Sequence, residues 1–186
     1  MNIIETDLPG VIIFEPKVFS DSRGSFIETW SKQRYEDAGI NAAFVQDNVS
    51  YSTRGVLRGL HYQHPHQQGK LIQVLKGEVF DVAVDIRLDS ATFGKWASAI
   101  ISEDNHRQIY IPPGFAHGFC VLSDEAVFSY KCTDYYNGPC EGGIRWDDPD
   151  IAIDWPIPGP SVSPKDATLA NLSEISEDKL PRTEDI

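Results

Sequence analysis

The chain lacks any long hydrophobic run and any sign of an export signal. No apolar segment approaches the roughly 18 residues that a membrane-spanning helix needs. The segment from Met1 to Gly10 carries the acids Glu5 and Asp7 and has no basic, apolar leader of the kind found in signal peptides. We therefore expect a cytoplasmic protein with no membrane partner.

Basic residues and cysteines are also scarce. Lysine and arginine total 16 against 28 acidic residues, which gives a net charge of −12. Such a chain repels nucleic acid at long range, so no nucleic-acid partner is expected, and an anionic ligand would need a local cluster of cations. The three cysteines, Cys120, Cys132 and Cys140, are odd in number and have no C-x-x-C spacing, which indicates reduced thiols.

Short strand-like segments, in contrast, are abundant. Turn signals such as Lys76-Gly77-Glu78 and Pro112-Pro113-Gly114 separate them. Many short strands at this spacing are typical of an all-β sandwich or barrel. The predicted strands cover residues 11–14, 25–30, 44–49, 71–75, 79–86, 96–101, 108–111, 118–122 and 127–132, and residues 57–61 are also strand-like.

Two helices are predicted around these strands. One covers residues 32–38, between a candidate N-cap at Ser31 and a terminal Gly39. The other begins at Ser163-Pro164-Lys165-Asp166, where a serine cap, a proline and an acid form a plausible helix start. The 186 residues fit a single domain. Within it, we expect residues 147–186 to form a wrapping segment, a C-terminal helix and an acidic tail that frays from position 173.

Two of the five histidines raise the question of a metal site. Cupin jelly rolls bind metal through an H-x-H pair and a distant histidine, and the segment from Pro112 to His117 fits the distant half. The first half is absent, because Gln63 stands where the second histidine after His61 should be. A catalytic divalent metal usually has at least three protein ligands, and only two are found here, so we expect no metal. We expect His64, His66 and His106 to be surface or structural residues.

A histidine without a metal can act as a general base near neutral pH. His61 would then need an orienting acid, and the sequence leaves three candidates: Asp81, Asp85 and Asp166. The last of these could equally serve as the third-position acid of the helix cap.

Proton abstraction beside a carbonyl also needs a group that stabilises the enolate. Lys70 suits that need, and the mid-strand Tyr130 suits an acid on the opposite face of a substrate. Arg58 would face away from His61 on a regular strand, so both could serve one site only if the chain bulges, for which Gly59 is the candidate position.

Taken together, these residues and their flanking motifs resemble the dTDP-4-dehydrorhamnose 3,5-epimerase family over roughly positions 5 to 170. The segments that carry the resemblance are 21–28 (DSRGSFIE), 46–50 (QDNVS), 56–63 (VLRGLHYQ), 69–71 (GKL), 81–87 (DVAVDIR), 111–119 (IPPGFAHGF), 130–136 (YKCTDYY), 141–146 (EGGIRW) and 163–166 (SPKD).

The resemblance implies a cupin-type jelly roll of short antiparallel strands with a few peripheral helices. It also implies a cofactor-independent isomerase that inverts C3 and C5 of dTDP-4-dehydro-6-deoxy-glucose in dTDP-L-rhamnose biosynthesis. His61 would be the base held by Asp166, Tyr130 the acid, and Lys70 the stabiliser of the enolate oxygen. The residues implied to bind the substrate are Arg23, Glu28, Gln46, Asn48, Arg58, His117, Tyr136, Glu141 and Lys165. A homodimer that exchanges N-terminal strands, from about residues 1–50, is implied as well.

Three other interpretations remain open at the level of sequence. The first is a metal-dependent cupin, such as an isomerase or dioxygenase. The second is a sugar-binding jelly roll without catalysis, which would not need His61, Lys70 and Tyr130 in one pocket. The third is an epimerase that inverts only C3 or only C5 of a related nucleotide sugar, and the presence of Tyr130 favours double inversion over it.

Overall fold

Two antiparallel sheets form the body of the protein in the computed structural model, which describes all 186 residues. The strands are β1 (Asn2–Glu5), β2 (Ile12–Glu15), β3 (Val18–Asp21), β4 (Gly24–Ile27), β5 (Gln46–Thr53), β6 (Leu57–Gln63), β7 (Lys70–Lys76), β8 (Glu78–Asp85), β9 (Trp96–Ser102), β10 (Gln108–Ile111), β11 (Phe115–Val121), β12 (Glu125–Cys132) and β13 (Glu141–Gly143). Sheet I has the order β1-β2-β10-β7-β12-β5, and sheet II has the order β13-β6-β11-β8-β9. The predicted all-β jelly-roll sandwich is confirmed.

The main hydrophobic core lies between the two sheets. On β7, Ile72 and Val74 point inward and meet residues of sheet II such as Phe119. The neighbouring Leu71 faces the other side of sheet I, where it packs with Tyr35. Sheet I is thus covered on both faces near its centre, which explains why β7 contains an almost continuous apolar run.

The single α-helix, α1 (Lys32–Asp37), covers the outer face of sheet I. It ends one residue earlier than predicted, and Gly39 follows it with a φ of +93°, a conformation that glycine adopts without strain. Ser31 precedes the helix in an extended conformation, but its side chain makes no capping hydrogen bond. The burial of Tyr35 therefore holds this short helix in place, rather than its cap.

The predicted C-terminal α-helix is wrong. Asp166–Thr168 forms only one 3₁₀ turn, and Leu169 is already extended. The predicted cap is nevertheless present, since the Asp166 amide donates a hydrogen bond to Ser163 Oγ at 3.0 Å. Further 3₁₀ turns follow at Leu172–Glu174, Glu177–Lys179 and Thr183–Asp185.

The expected fraying of the tail is wrong as well. Leu172 and Leu180 are buried against the outer face of sheet II. The Leu88 amide donates a hydrogen bond to the Pro181 carbonyl oxygen at 2.9 Å. Because the apolar residues of this segment are widely spaced, they cover the sheet from an irregular chain and not from a helical face.

Sequence patterns located most strands but misjudged several boundaries. β5 runs from Gln46 to Thr53 instead of 44–49, and β11 begins at Phe115, three residues before the predicted start. The short strands β1, β3 and β13 were not predicted. The predicted half-buried strand at 25–30 is the arm β4 of an isolated hairpin with β3, and Phe26 on it is 70% exposed. No helix in the protein is long and apolar enough to span a membrane.

Candidate active site

A cavity of about 540 Å³ lies between the sheets. Strands β5, β7 and β12 of sheet I line one side of it, β6 and β11 of sheet II line the other, and residues 161–166 contribute from the C-terminal segment. The ionisable and amide side chains on its walls are Arg58, His61, Tyr62, Gln63, Gln68, Lys70, His117, Tyr130, Tyr136, Glu141, Lys165 and Asp166.

A bulge in β6 turns Arg58 and His61 toward the same cavity. His61 pairs with His117 of β11, whereas Arg58 pairs with Phe119, so β6 contains one more residue than β11 over this interval. Gly59 adopts a φ of +131° there, and a Cβ on it would lie 2.6 Å from the Gly118 Cα atom. The bulge predicted at Gly59 is therefore confirmed, and only glycine fits its position.

His61 is hydrogen-bonded to Asp166, a residue 105 positions further along the chain. The distance from His61 Nε2 to Asp166 Oδ1 is 2.7 Å, and the second carboxylate oxygen accepts a weaker bond from the Gly59 amide at 3.3 Å. The Asp166 side chain is buried, while His61 is partly exposed to the cavity. Because Nε2 faces the carboxylate, Nδ1 is the ring nitrogen left for a proton from a ligand.

The other two carboxylates considered as partners of His61 lie elsewhere. Asp81 on β8 pairs with His117, with 2.9 Å between its Oδ2 atom and Nε2 of the histidine. Asp85 accepts hydrogen bonds from Arg87, Ser90 and Thr92, which makes it a local structural anchor. The structure thus selects Asp166 among the three candidates.

Lys70 opens β7 and reaches the cavity from sheet I. Its side chain is largely buried and makes no hydrogen bond or ion pair. Burial lowers the pKa of its ammonium group, and the electrostatic effects of Cys132 and Asp81 act in the opposite direction. A buried, unpaired ammonium beside a cavity is well suited to receive negative charge from a ligand.

Tyr130 on β12 also belongs to sheet I, so it lies on the wall across the cavity from His61. Burial raises the pKa of its phenol, with a further increase from Cys132 and a decrease from Arg58. The phenol is therefore protonated at neutral pH. Beside it, the rings of Phe128 and Phe119 stack with 3.9 Å between their centroids and give the cavity an apolar surface.

A small ionic network lies on the cavity wall. Glu141 Oε2 accepts a hydrogen bond from the Tyr136 hydroxyl at 2.9 Å and lies 2.7 Å from Lys165 Nζ. Burial raises the pKa of Glu141, but hydrogen bonds from Lys165 and Tyr136 outweigh it and the net pKa is lowered. The carboxylate is therefore ionised at neutral pH, and it joins β13 to the segment that carries Asp166.

The predicted binding residues of β5 border the site without lining it. Gln46 accepts a hydrogen bond from the Tyr136 amide and donates one to Asn48. Asn48 in turn pairs with Tyr130 in the ladder between β5 and β12. Arg58, which does line the cavity, donates from Nε to Ser52 of the same strand β5 at 3.1 Å.

Two predicted binding residues, Arg23 and Glu28, are not brought to the cavity of this chain. Arg23 sits at the tip of the β3–β4 hairpin, where its side chain is 88% exposed and bonds only to Asp21. Glu28 forms an ion pair with Arg34 of α1 at 3.0 Å. Their predicted roles therefore depend on something beyond a single chain.

Gln63 is a cavity residue whose use the sequence did not reveal. Its amide nitrogen donates to the carbonyl oxygens of His66 and Tyr135, and its oxygen accepts from the Asn137 amide. It thus ties together two loops beside the cavity, at the position where a metal cupin would have a histidine. Ser50, Phe119 and Phe128 also line the cavity. Phe119 and Phe128 fall within predicted strands and Ser50 within the motif at 46–50, but none of these patterns indicated that the residues line a cavity.

The walls of this cavity can perform proton transfer at carbon. A histidine fixed by a carboxylate lies on one wall, a protonated phenol lies on the other, and an ammonium adjoins them. This arrangement suits removal of a proton next to a carbonyl and its return on the opposite face. The structure groups no three His, Cys, Asp or Glu side chains in a way that could hold a metal ion.

Comparison with known proteins gives consistent matches along nearly the whole chain. A family model described as dTDP-4-dehydrorhamnose 3,5-epimerase matches residues 5–174. A protein of that name from Shigella flexneri is 57% identical over 168 residues, which cover 89% of this chain and 93% of the relative. The Escherichia coli K12 protein of the same name is 50% identical, with 97% of this chain and 99% of the relative covered.

Solved structures agree with these sequence matches. A dTDP-6-deoxy-D-glucose-3,5-epimerase from Legionella pneumophila, in complex with dTDP-4-keto-L-rhamnose, is 55% identical and superposes with a TM-score of 0.95 over 97% of each chain. A 3'-monoepimerase from Streptomyces bikiniensis in complex with dTDP-quinovose is 30% identical, with a TM-score of 0.90 over 97% of this chain and 93% of the other.

Proposed function

Because the chain belongs to the dTDP-4-dehydrorhamnose 3,5-epimerase family of isomerases, we propose that it inverts both C3 and C5 of dTDP-4-dehydro-6-deoxy-glucose. The reaction would proceed through enolate intermediates and would serve dTDP-L-rhamnose biosynthesis. The 4-ketone acidifies the hydrogens on both neighbouring carbons, so one base and one enolate-stabilising site can serve both inversions. No redox cofactor is needed for this chemistry.

The observation that carries the proposal is the placement of His61 and Tyr130 on opposite walls of one cavity, with Lys70 beside them. Inversion requires a proton to leave one face of the sugar ring and another to arrive on the opposite face. A base and an acid on the same wall would exchange the proton without changing the configuration.

In the proposed mechanism, neutral His61 donates a hydrogen bond from Nε2 to Asp166 and accepts the substrate proton at Nδ1. Asp166 fixes this tautomer and stabilises the imidazolium that forms. The electron pair of the broken C–H bond moves onto the O4 atom as an enolate. Lys70 receives this charge, because its buried ammonium has no other partner.

Tyr130 then donates its phenolic proton to the carbon from the opposite face. Before the second inversion, His61 releases its proton to solvent and Tyr130 regains one from solvent. The raised pKa of the phenol keeps the group protonated until the enolate forms. Arg58, turned to the cavity by the bulge, is proposed to bind the diphosphate, for which its guanidinium is well suited. His117, Tyr136 and Lys165 are proposed to bind the rest of the nucleotide sugar, together with Glu141, Gln46 and Asn48.

A homodimer that completes each site with the hairpin of the other chain is part of the same proposal. The β3–β4 hairpin exposes Phe19, Phe26 and Arg23, and it pairs with no other strand of its own chain. We propose that Arg23 and Glu28 serve the substrate site of the partner, and that the enzyme works in the cytoplasm. Mixing inactive His61→Ala and Arg23→Ala chains after denaturation and refolding should restore part of the activity, since a mixed dimer has one intact site.

The proposed reaction is tested by incubating the enzyme with dTDP-4-dehydro-6-deoxy-glucose in heavy water. NMR should show deuterium at C3 and C5 together with the inverted sugar. His61→Ala should abolish this exchange while the Kd for the nucleotide sugar stays within about tenfold. His106→Ala is the matched control, because His106 lies outside the cavity, and it should exchange like the wild type.

The same experiment decides between the proposed reaction and its alternatives. Deuterium at C3 alone would indicate the activity named for the similar 3'-monoepimerase. Binding without any exchange in the wild type would indicate a sugar-binding protein. A stoichiometric transition metal in the purified enzyme, measured by elemental analysis, would contradict the metal-free mechanism.

A further inference from the structure

Asp81 is a fully buried carboxylate that the proposed mechanism does not use. It lies on β8 between Val79 and Ala83, and both of these neighbours on the same strand face belong to the core between the sheets. The carboxylate therefore points into the apolar interior. A buried ionisable group in such a place is costly unless charged or polar partners offset the loss of water.

The contacts of Asp81 leave half of its carboxylate without a hydrogen bond. Oδ2 lies 2.9 Å from His117 Nε2, whereas Oδ1 is buried and has no partner. Lys70, which is also buried, likewise has no hydrogen-bond partner. Burial raises the pKa of Asp81 above its ordinary value, and His117 and then Lys70 offset part of that increase. Asp81 and Lys70 form no direct ion pair, but each favours the charged form of the other.

Both carboxylates on the cavity wall already have a partner. Asp166 is bonded to His61, and Glu141 is bonded to Lys165. Two groups act on the charge of Lys70: Cys132, its partner in the ladder with β12, and Asp81 of β8. Tyr130, His117, His61 and Arg58 share the cavity with Lys70. Asp81 is the one carboxylate among them.

We propose that Asp81 is a positioning residue of the enolate site, which it serves through both His117 and Lys70. Its Oδ2 atom holds His117 by Nε2, so that Nδ1 is the ring nitrogen free to meet the substrate. Its negative charge keeps the Lys70 ammonium protonated in the buried setting. Asp81 itself does not line the cavity and touches no substrate atom. This inference rests on the proposed function, because it assigns Lys70 and His117 to the same enolate site.

The substitution Asp81→Asn separates charge from hydrogen bonding. The amide oxygen can still accept the bond from His117, but the negative charge is removed. Lys70 should then lose its proton at lower pH, since a neighbouring carboxylate favours the charged form of an amine. In the pH profile of kcat for deuterium exchange, the alkaline limb should shift to lower pH by about one unit or more. KM should change little, because Asp81 contacts no ligand.

Asp85→Asn is the matched control. Asp85 is equally buried on the same strand, but its partners are Arg87, Ser90 and Thr92, away from the cavity. This variant should lose thermal stability and retain the alkaline limb of the wild type. An unchanged limb in Asp81→Asn, or an equal shift in both variants, would overturn the inference.

A direct NMR titration of Lys70 tests this inference even if the proposed reaction is wrong. In protein labelled with ¹³C at the lysine ε-carbon, the Lys70 signal is identified by its absence in Lys70→Arg. Its titration midpoint should fall in Asp81→Asn and stay in place in Asp85→Asn, whether or not the wild type exchanges deuterium. If Asp81→Asn does not fold, Asp81→Glu retains the charge and should keep the Lys70 midpoint near the wild-type value. A fall comparable with the loss of a charge would refute the inference.

Discussion

Gly59→Ala tests whether the β6 bulge is what makes the site. Gly59 has a φ of +131°, and an added Cβ would lie 2.6 Å from Gly118 Cα and 2.9 Å from the His117 carbonyl oxygen. Both obstacles are backbone atoms of β11, so no side chain can rotate away. To accommodate the methyl group, β6 must shift away from β11 or change its register.

The cost has two parts. A non-glycine residue in such a sparsely populated conformation costs about 1–3 kcal/mol. Overpacking against atoms that cannot easily move adds about 1–3 kcal/mol. With a central value near 4 kcal/mol, and roughly 2–4 °C lost per kcal/mol for a chain of this size, the Tm should fall by about 8–16 °C.

Activity should fall more than stability suggests, because the bulge sets the directions of Arg58 and His61. We expect kcat/KM for exchange to drop at least about 100-fold at a temperature where the variant is folded, since a displacement of roughly 1 Å in a site costs that much. Gly55→Ala is the matched control: its φ is +80° and nothing lies within 4 Å of the added Cβ. It should lose only about 1–2 kcal/mol and keep its activity when folded.

The comparison is made by thermal unfolding and by NMR of deuterium exchange in both variants. If Gly59→Ala unfolds within 2 °C of Gly55→Ala, the close approach of the strands is not what fixes glycine at position 59. If it is destabilised but fully active once folded, the bulge does not orient the catalytic side chains.

Three further predictions concern the site and its supporting strand. Tyr130→Phe should retain part of the deuterium exchange but lose net inversion, and an equal loss of both by NMR would contradict a separate acid role. Asp166→Asn should lower kcat by about 10²–10⁴-fold, because an amide cannot stabilise the His61 imidazolium, and a smaller effect in steady-state kinetics would argue that His61 needs no anionic partner. Burial raises the pKa of Asp85, but hydrogen bonds led by Arg87 outweigh it, so the net pKa lies below 3.8. The stabilisation of the folded state by ionised Asp85 is complete above the ordinary pKa and is lost as pH falls through the lowered value. Asp85→Asn should therefore flatten the acid limb of the pH dependence of the free energy of unfolding, measured with denaturant.

The strands could be predicted from the sequence because alternation and turn residues are local properties. The segment from Gln108 to Ile111 was predicted to the residue, and only the ends of most other strands moved. The predictions failed where local sequence patterns are weak. The very short strands were missed. In the C-terminal segment, the residues near Ser163 form the predicted cap, but the chain continues as a single 3₁₀ turn and not as a helix.

The hairpin from Val18 to Ile27 shows a different limit. The alternation around Phe26 correctly indicates a strand with an apolar side, but it does not say what covers that side. Within one chain, no other segment covers Phe26, which is 70% exposed. A pattern of burial can be read from sequence, whereas the identity of the surface that provides the burial cannot.

The sequence by itself determined the family, the antiparallel sandwich and the set of residues able to move protons, because motifs and periodicity are written along the chain. It could not decide among Asp81, Asp85 and Asp166 as the partner of His61. In the structure, Asp81 is hydrogen-bonded to His117, Asp85 to the nearby Arg87, and Asp166 to His61. Hydrogen bonds form only over about 3 Å, so which carboxylate meets which imidazole depends on how distant strands come to face one another. Only the tertiary structure decides that.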